Sequence, residues 1–229
     1  MSDVGKSLKD ESSISKIYKK STKIRIKSTT EPTTMKMSLA EIWRVFCAIE
    51  LPFATRVRLM EHIANLRTQL PEARVSWSRE SNIHLTLKFI GEMSRGLVPK
   101  FESAISRAAA DSAPFPLLLS GNGVFPNRRD PRVIWIGITD PTGALARLHL
   151  RLETESEKEG FPKEKRRFHP HLTLARLRHH EGARELAQAH ETLTFPEEEI
   201  VVNELVLIRS ELSSGGSKYT TISRHALKP

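Results

Sequence analysis

Apolar and β-favouring residues dominate positions 43–51 and stop at Pro52, which predicts a strand. Leu59, Ile63, Leu66 and Leu70 recur at helical spacing, so 55–70 is expected to be a helix stopped by Pro71. Residues 82–90 alternate and predict a second strand, closed by Gly91. Leu97, Phe101 and Ile105 mark a second helix ending around Asp111, and 116–124 reads as a third strand. The pattern then begins again. Arg132-Val133-Ile134-Trp135-Ile136 echoes Arg44-Val45-Phe46-Cys47-Ala48 at an offset of 88 residues, and both strands run out at a proline, Pro52 and Pro141. Leu145, Leu148 and Leu152 mark a helix, 169–176 a strand, and Leu186 and Leu193 another helix. Residues 200–208 and 218–223 are expected to be the last strands.

Within this repeat lies an identical tetrapeptide. His84-Leu85-Thr86-Leu87 and His171-Leu172-Thr173-Leu174 stand 87 residues apart. In a strand, side chains alternate between faces, so the His and Thr of each copy share one face and the two Leu share the other. The Leu face can enter a core while the His/Thr face stays open to a ligand. Two copies of β-α-β-α-β at nearly one offset predict an internal duplication. The expected fold is α+β and bilobed. Its two pseudo-two-fold related lobes would carry mainly antiparallel sheets facing a central cleft, formed by residues 38–229.

Residues 1–37 break the pattern. The first 34 hold eight Lys/Arg, four Asp/Glu and twelve Ser/Thr with scattered apolar residues, so this basic segment is expected to be disordered. Lys23-Ile24-Arg25-Ile26-Lys27 could become a short strand on contact. The expectation for the segment is a solvated tail, or an extension upstream of Met35 and Met37, in preference to an RNA-binding arm.

The net charge of +9 favours an anionic partner, nucleic acid ahead of anionic lipid. The single Cys47 excludes an intramolecular disulfide and, inside an apolar run, reads as a core residue in preference to a nucleophile. No apolar run approaches the roughly 18 residues of a membrane span, and the N-terminus lacks a signal-peptide core. The expectation is therefore a cytoplasmic protein off the membrane. A monomer is expected too, since the duplication supplies both halves of a site.

The paired His-x-Thr-x motifs resemble the signature of the 2H phosphoesterase superfamily. Residues 43–52, 82–91, Phe125-Pro126-Asn127, 131–135, 170–176, 208–212 and Tyr219-Thr220 are similar to segments of its RNA 2',3'-cyclic phosphodiesterases. The resemblance spans about 44–227; the tail lies outside it, and His169 is a departure from its pattern. It implies hydrolysis of RNA 2',3'-cyclic phosphate ends to a 2'-phosphate, with no metal and no cofactor. By the same resemblance His84 is the proton donor and His171 the proton acceptor. Sequence symmetry alone does not make that assignment.

The residue types suit the chemistry. One imidazole can be neutral and its partner charged near neutral pH, as base and acid require. Thr86 and Thr173 can donate hydroxyls to phosphate oxygens. Arg176 is a candidate phosphate ligand, although strict alternation puts it on the face opposite His171 unless a bulge turns it. Lys88 shares the His84 face by alternation and is a candidate to hold RNA. Phe89 and Trp135 are candidates to stack on a base or to join the core. Arg132, with Arg128 and Arg129, could meet the RNA backbone or be a solvated turn. Lys163, Lys165, Arg166 and Arg167 share that ambiguity.

Three alternatives stay open. A metal hydrolase could use His169, His171, His179 and His180, but the repeated partner is Thr, a poor zinc ligand, and no carboxylate recurs beside the motifs. A non-catalytic protein could bind RNA ends. The same chemistry could serve a 2'-5' linkage, as in ligation or cleavage of tRNA halves, or a small cyclic nucleotide.

Overall fold

A computed structural model describes residues 41–213 and 216–228. The expected tail 1–37 and the start of the body at Ser38 lie outside the described residues.

Among the described residues, nine strands form one antiparallel sheet in the order β7-β4-β5-β6-β3-β1-β8-β9, with β2 paired to β6. They are β1 (Ile42–Glu50), β2 (Val75–Trp77), β3 (His84–Ser94), β4 (Phe115–Phe125), β5 (Val133–Thr139), β6 (His171–Leu177), β7 (Glu198–Val202), β8 (Glu204–Ser213) and β9 (Gly216–Ala226). The α-helices of the described residues connect them: α1 (Phe53–Gln69), α2 (Val98–Ala110), α3 (Ala144–Lys158) and α4 (Ala183–Thr192). The α+β class and the mainly antiparallel pairing are as the pattern predicts. The expected single strand over 200–208 is two, β7 and β8, separated at Asn203, whose carbonyl accepts from Leu227 N. Strand β2 lies in a stretch where no strand was expected; at three residues it is too short to carry a periodicity.

The order is symmetric about the β3–β6 seam. On one side β6 is followed outward by β5 and β4; on the other β3 is followed by β1 and β8. Each half, however, takes its third strand from the other repeat. Strand β4 follows β3 in the chain but pairs with β5, and β8 follows β6 but pairs with β1. The helices cross in the same sense, α1 packing on α4 and α2 on α3. This exchange makes the two halves of the fold interdependent.

The Leu face of both motifs enters the core. Leu85, Leu87, Leu172 and Leu174 join Leu59, Phe101, Ile105, Leu148 and Leu186 in the large cluster under the helices. Cys47 belongs to it and is fully buried. A second, smaller cluster of Phe46, Ala48, Val206 and Ile208, with Tyr219 against it, lies under the opposite face of the β1–β8–β9 half. Among the described residues, no helix is long and apolar enough to cross a membrane.

Candidate active site

The two motif strands meet at one bridge, Leu85↔Leu172. An antiparallel register carried one residue either way sets His84 across from Thr173 and Thr86 across from His171. The four polar side chains therefore come to one face at the centre of the sheet, while the bridging leucines point to the core. All four are half-buried. Among the described residues neither threonine hydroxyl has a protein partner, which leaves both available to an anion.

Each ladder next to a motif carries the same irregularity. Opposite β1 the register steps from Ala48↔Thr86 to Cys47↔Lys88; opposite β5 it steps from Trp135↔Thr173 to Ile134↔Ala175. One extra residue, Leu87 or Leu174, is accommodated each time, and the strand beyond it changes face. This corrects the expectation for Lys88. It turns into the core, where Nζ donates to Glu153 Oε2 at 2.7 Å and to Pro162 O at 2.9 Å. It is not on the His84 face and is not placed to hold RNA. The residue after it, Phe89, returns to that face and is half exposed at 48%. The equivalent bulge returns Arg176 to the face of His171, the turn that strict alternation denied it. Arg176 and His171 both act electrostatically on His84, and Arg176 acts on His171 as well, so these three cationic or ionisable groups share one small volume.

Arg132 does not join them as a free cation. Its guanidinium is paired with Asp130 at 3.1 Å and hydrogen-bonded to His180 Nε2 at 2.9 Å. Arg128 is likewise paired, with Glu191. In the loop before the second motif, Lys163 pairs with Glu157 and Arg166 with Glu164.

The histidines are oriented alike. His171 Nδ1 lies 2.7 Å from the carbonyl of His169; a carbonyl only accepts, so Nδ1 carries the proton and Nε2 keeps its lone pair. The backbone of Asn82, again two residues back, favours the charged form of the His84 ring. Burial pulls the His84 pKa down to about 4, opposed by Asn82 and Glu50 and reinforced by Arg176 and His171. Burial also lowers that of His171, opposed by the His169 carbonyl. Without a ligand both rings are therefore neutral at pH 7. A bound phosphate would supply the negative charge that favours a proton on one of them.

Aromatic rings flank each imidazole. Phe46 stacks on His84 with centroids 4.7 Å apart, and Tyr219 meets the His84 ring edge-on at 5.3 Å. Phe89 continues the row at 6.4 Å from Phe46, with the Arg44 guanidinium 4.6 Å from its centroid. Around the second histidine stand Phe125 at 5.0 Å and Trp135 at 6.2 Å, with His169 between 5.0 and 6.2 Å from Trp135, Phe125 and His171. Trp135 is thus a partly buried wall of the site. Sequence reasoning singled out Phe89 and Trp135 but missed Phe46, Phe125 and Glu50. Phe46 and Glu50 share alternation with Ala48 on the motif face, which was the available signal. Among the described residues no group of three or more His, Cys, Asp or Glu side chains is arranged to hold a metal ion.

Comparison with known proteins identifies the family. Residues 55–213 match the 2'-5' RNA ligase superfamily. The RNA 2',3'-cyclic phosphodiesterase of Methanothermobacter thermautotrophicus is 33% identical over 77% of this chain and 95% of its own length. That of Escherichia coli is 30% identical over 82% and 99%. Among solved structures, Escherichia coli LigT in its apo form superposes with a TM-score of 0.63 at 30% identity, over 82% of this chain and 99% of that one. The same protein has been crystallised with 3'-AMP and with phosphate. A Thermus thermophilus structure superposes with a TM-score of 0.65 at 28% identity, over 80% and 97%. With its paired His/Thr strands, its half-sheet topology and these relatives in agreement, the chain belongs to the 2'-5' RNA ligase superfamily and, within it, to the RNA 2',3'-cyclic phosphodiesterase family.

Proposed function

We propose that this protein opens 2',3'-cyclic phosphates at RNA ends with water, leaving a 2'-phosphate, and that two histidines carry the proton transfers without a metal ion. The observation that carries the reading is the Leu85↔Leu172 bridge, which sets one His/Thr pair against the other with Arg176 in reach of both imidazoles. His171, with Nδ1 tied to a carbonyl, offers Nε2 as the base that takes a proton from water. His84, on the other strand, protonates the departing 3' oxygen. Base and acid then act from opposite sides of phosphorus, as in-line displacement requires. Thr86, Thr173 and Arg176 hold the non-bridging oxygens as charge builds on them. Phe46, Phe89, Phe125 and Trp135 give the terminal nucleosides apolar surfaces to stack on. The names of the relatives and the nucleotide and phosphate complexes of LigT support the substrate class.

The test is one incubation of a short RNA ending in 2',3'-cyclic phosphate in excess EDTA, with the product's phosphate located. His84→Ala and His171→Ala run beside the wild type. A 2'-phosphate formed by the wild type and lost in both variants is the expected result. Activity that needs added zinc would overturn the metal-free chemistry, and binding without turnover would leave an RNA-end binding protein.

A further inference from the structure

The two histidines share a frame but not an electrostatic setting. In the ladders beside them, His84 is the partner of Glu50 on β1 and His171 the partner of Gly137 on β5. Glu50 and Gly137 are 87 residues apart, as the histidines are, so they hold equivalent stations. One histidine therefore has a carboxylate at its side where the other has a hydrogen atom. Ladder partners place their side chains on one face. Glu50 is fixed there: Arg224 donates to its Oε2 at 2.7 Å and Thr221 Oγ1 to its Oε1 at 3.3 Å. Arg224 is anchored in turn by Glu204. The other station does not accept a side chain, because a Cβ at Gly137 would lie 2.6 Å from Ser120 O and 3.4 Å from the Trp135 ring. Among the described residues, the polar and ionisable groups facing His84 are Glu50 from β1, His171 and Arg176 from β6, Tyr219 from β9 and the backbone of Asn82. Of these, Glu50 alone is an anion.

We propose that Glu50, braced by Arg224, is a positioning residue that breaks the symmetry of the site and assigns the proton-donor role to His84. The inference rests on the proton roles proposed above. In the step itself, neutral His171 takes a proton from water as the new P–O bond forms. The P–O3' bond breaks, and protonated His84 delivers its proton to O3'. One water is added overall, and the enzyme is left with His171 charged and His84 neutral, a state that exchange with solvent resets. Glu50 takes no part in the proton transfers; Arg224 and Thr221 occupy its carboxylate oxygens. Its charge favours protonated His84 against the burial of the ring and the opposing charges of Arg176 and His171. With Gly137 at the equivalent station, His171 has no such support.

The test is Glu50→Gln in the full chain, read by NMR titration of the imidazole resonances without ligand and by the pH profile of kcat/KM. The expected result is a His84 titration about half a unit lower, with His171 unmoved. kcat/KM at pH 7 should fall about threefold, because the protonated fraction of His84 falls in step with its pKa there. Glu50→Asp should restore part of both. An unshifted His84 in a folded Glu50→Gln protein overturns the proposal, even where wild type yields a 2'-phosphate. Active His84→Ala, or a 3'-phosphate product, overturns the proton roles beneath it whatever the titration shows.

Discussion

Lys88 and Glu153 form an ion pair, N–O 2.7 Å, with side chains only 3% and 6% exposed. The lysine sits in the middle of a motif strand and the carboxylate on α3, so the pair fastens β3 to the helix layer. Glu153 also accepts from the backbone N–H of Glu164, which ties down the loop before the second motif. Removing one member strands the other charge away from water, a change worth about 3–5 kcal/mol. Lys88→Met is expected to lower the unfolding free energy by about that amount in denaturant titrations. The double variant Lys88→Met with Glu153→Leu should recover most of it. Measured on folded protein, KM for RNA should stay within a few-fold of wild type. A large KM increase at unchanged stability would return Lys88 to the substrate.

Gly123 lies beneath Trp135: a Cβ there would meet the indole ring at 2.1 Å. That ring stands beside both His169 and His171. Gly123→Ala must displace it, at a packing cost of about 1–3 kcal/mol. The expected outcome is a modest fall in melting temperature and a drop of about tenfold or more in kcat/KM, since small misplacements at a reacting centre are costly. A fully active Gly123→Ala would show that Trp135 does not position the second histidine.

The Lys88 and Arg176 outcomes have one origin. Period-two alternation assigns faces correctly from His84 to Leu87 and from His171 to Leu174, because those residues form regular ladders with core-facing leucines. Beyond each motif the bulge inverts the assignment. It leaves no local mark in the sequence, since Leu87-Lys88 and Leu174-Ala175 read as ordinary strand. The exchange of β4 and β8 was equally illegible: a repeat of element order says which units recur, not which edge each third strand joins. What the repeat did disclose was the His/Thr quartet, because two identical motifs in one frame constrain each other. Glu50 was visible as a residue of β1 but not as a neighbour of His84, a relationship that needs the β1–β3 register.

The charge of Arg176 acts on both imidazoles. If it holds a non-bridging phosphate oxygen, Arg176→Ala should cost about 10²–10³ in kcat, the scale of losing one preorganised donor. Arg176→Lys should fall between the two, retaining charge but not the planar fork. Arg132→Ala is the contrast. Its guanidinium already serves Asp130 and His180, so the expected change in kcat/KM is small. Steady-state kinetics on cyclic-phosphate RNA distinguish them, and equal losses at the two positions would count against the assignment.

A second histidine pair, away from the reaction, should contribute to the loss of stability on the acid side. His62 Nε2 and His190 Nδ1 are 3.5 Å apart between α1 and α4, and the His190 ring reaches the Trp135 carbonyl at 3.0 Å. Burial, then the charge of His190, brings the His62 pKa down to about 4; burial lowers that of His190 against the Trp135 carbonyl. Unfolded, both would titrate near 6.5. Between about pH 6.5 and 4 the unfolded chain therefore binds more protons than the folded one, and the linkage slope makes stability fall as pH falls. Above that window both states are neutral and the slope from this pair vanishes. His84 and His171 add to the loss in the same direction, so wild type alone does not isolate it. His62→Phe keeps an aromatic ring against Phe195, whose centroid is 5.6 Å from that of His62, and removes one titrating group. Its unfolding free energy should decline less steeply over that window, by up to about one proton's worth of slope, and run parallel to wild type above pH 7. Chemical denaturation of both proteins at half-unit steps would measure this. Identical slopes would mean that His62 is protonated in the folded state as readily as in the unfolded one.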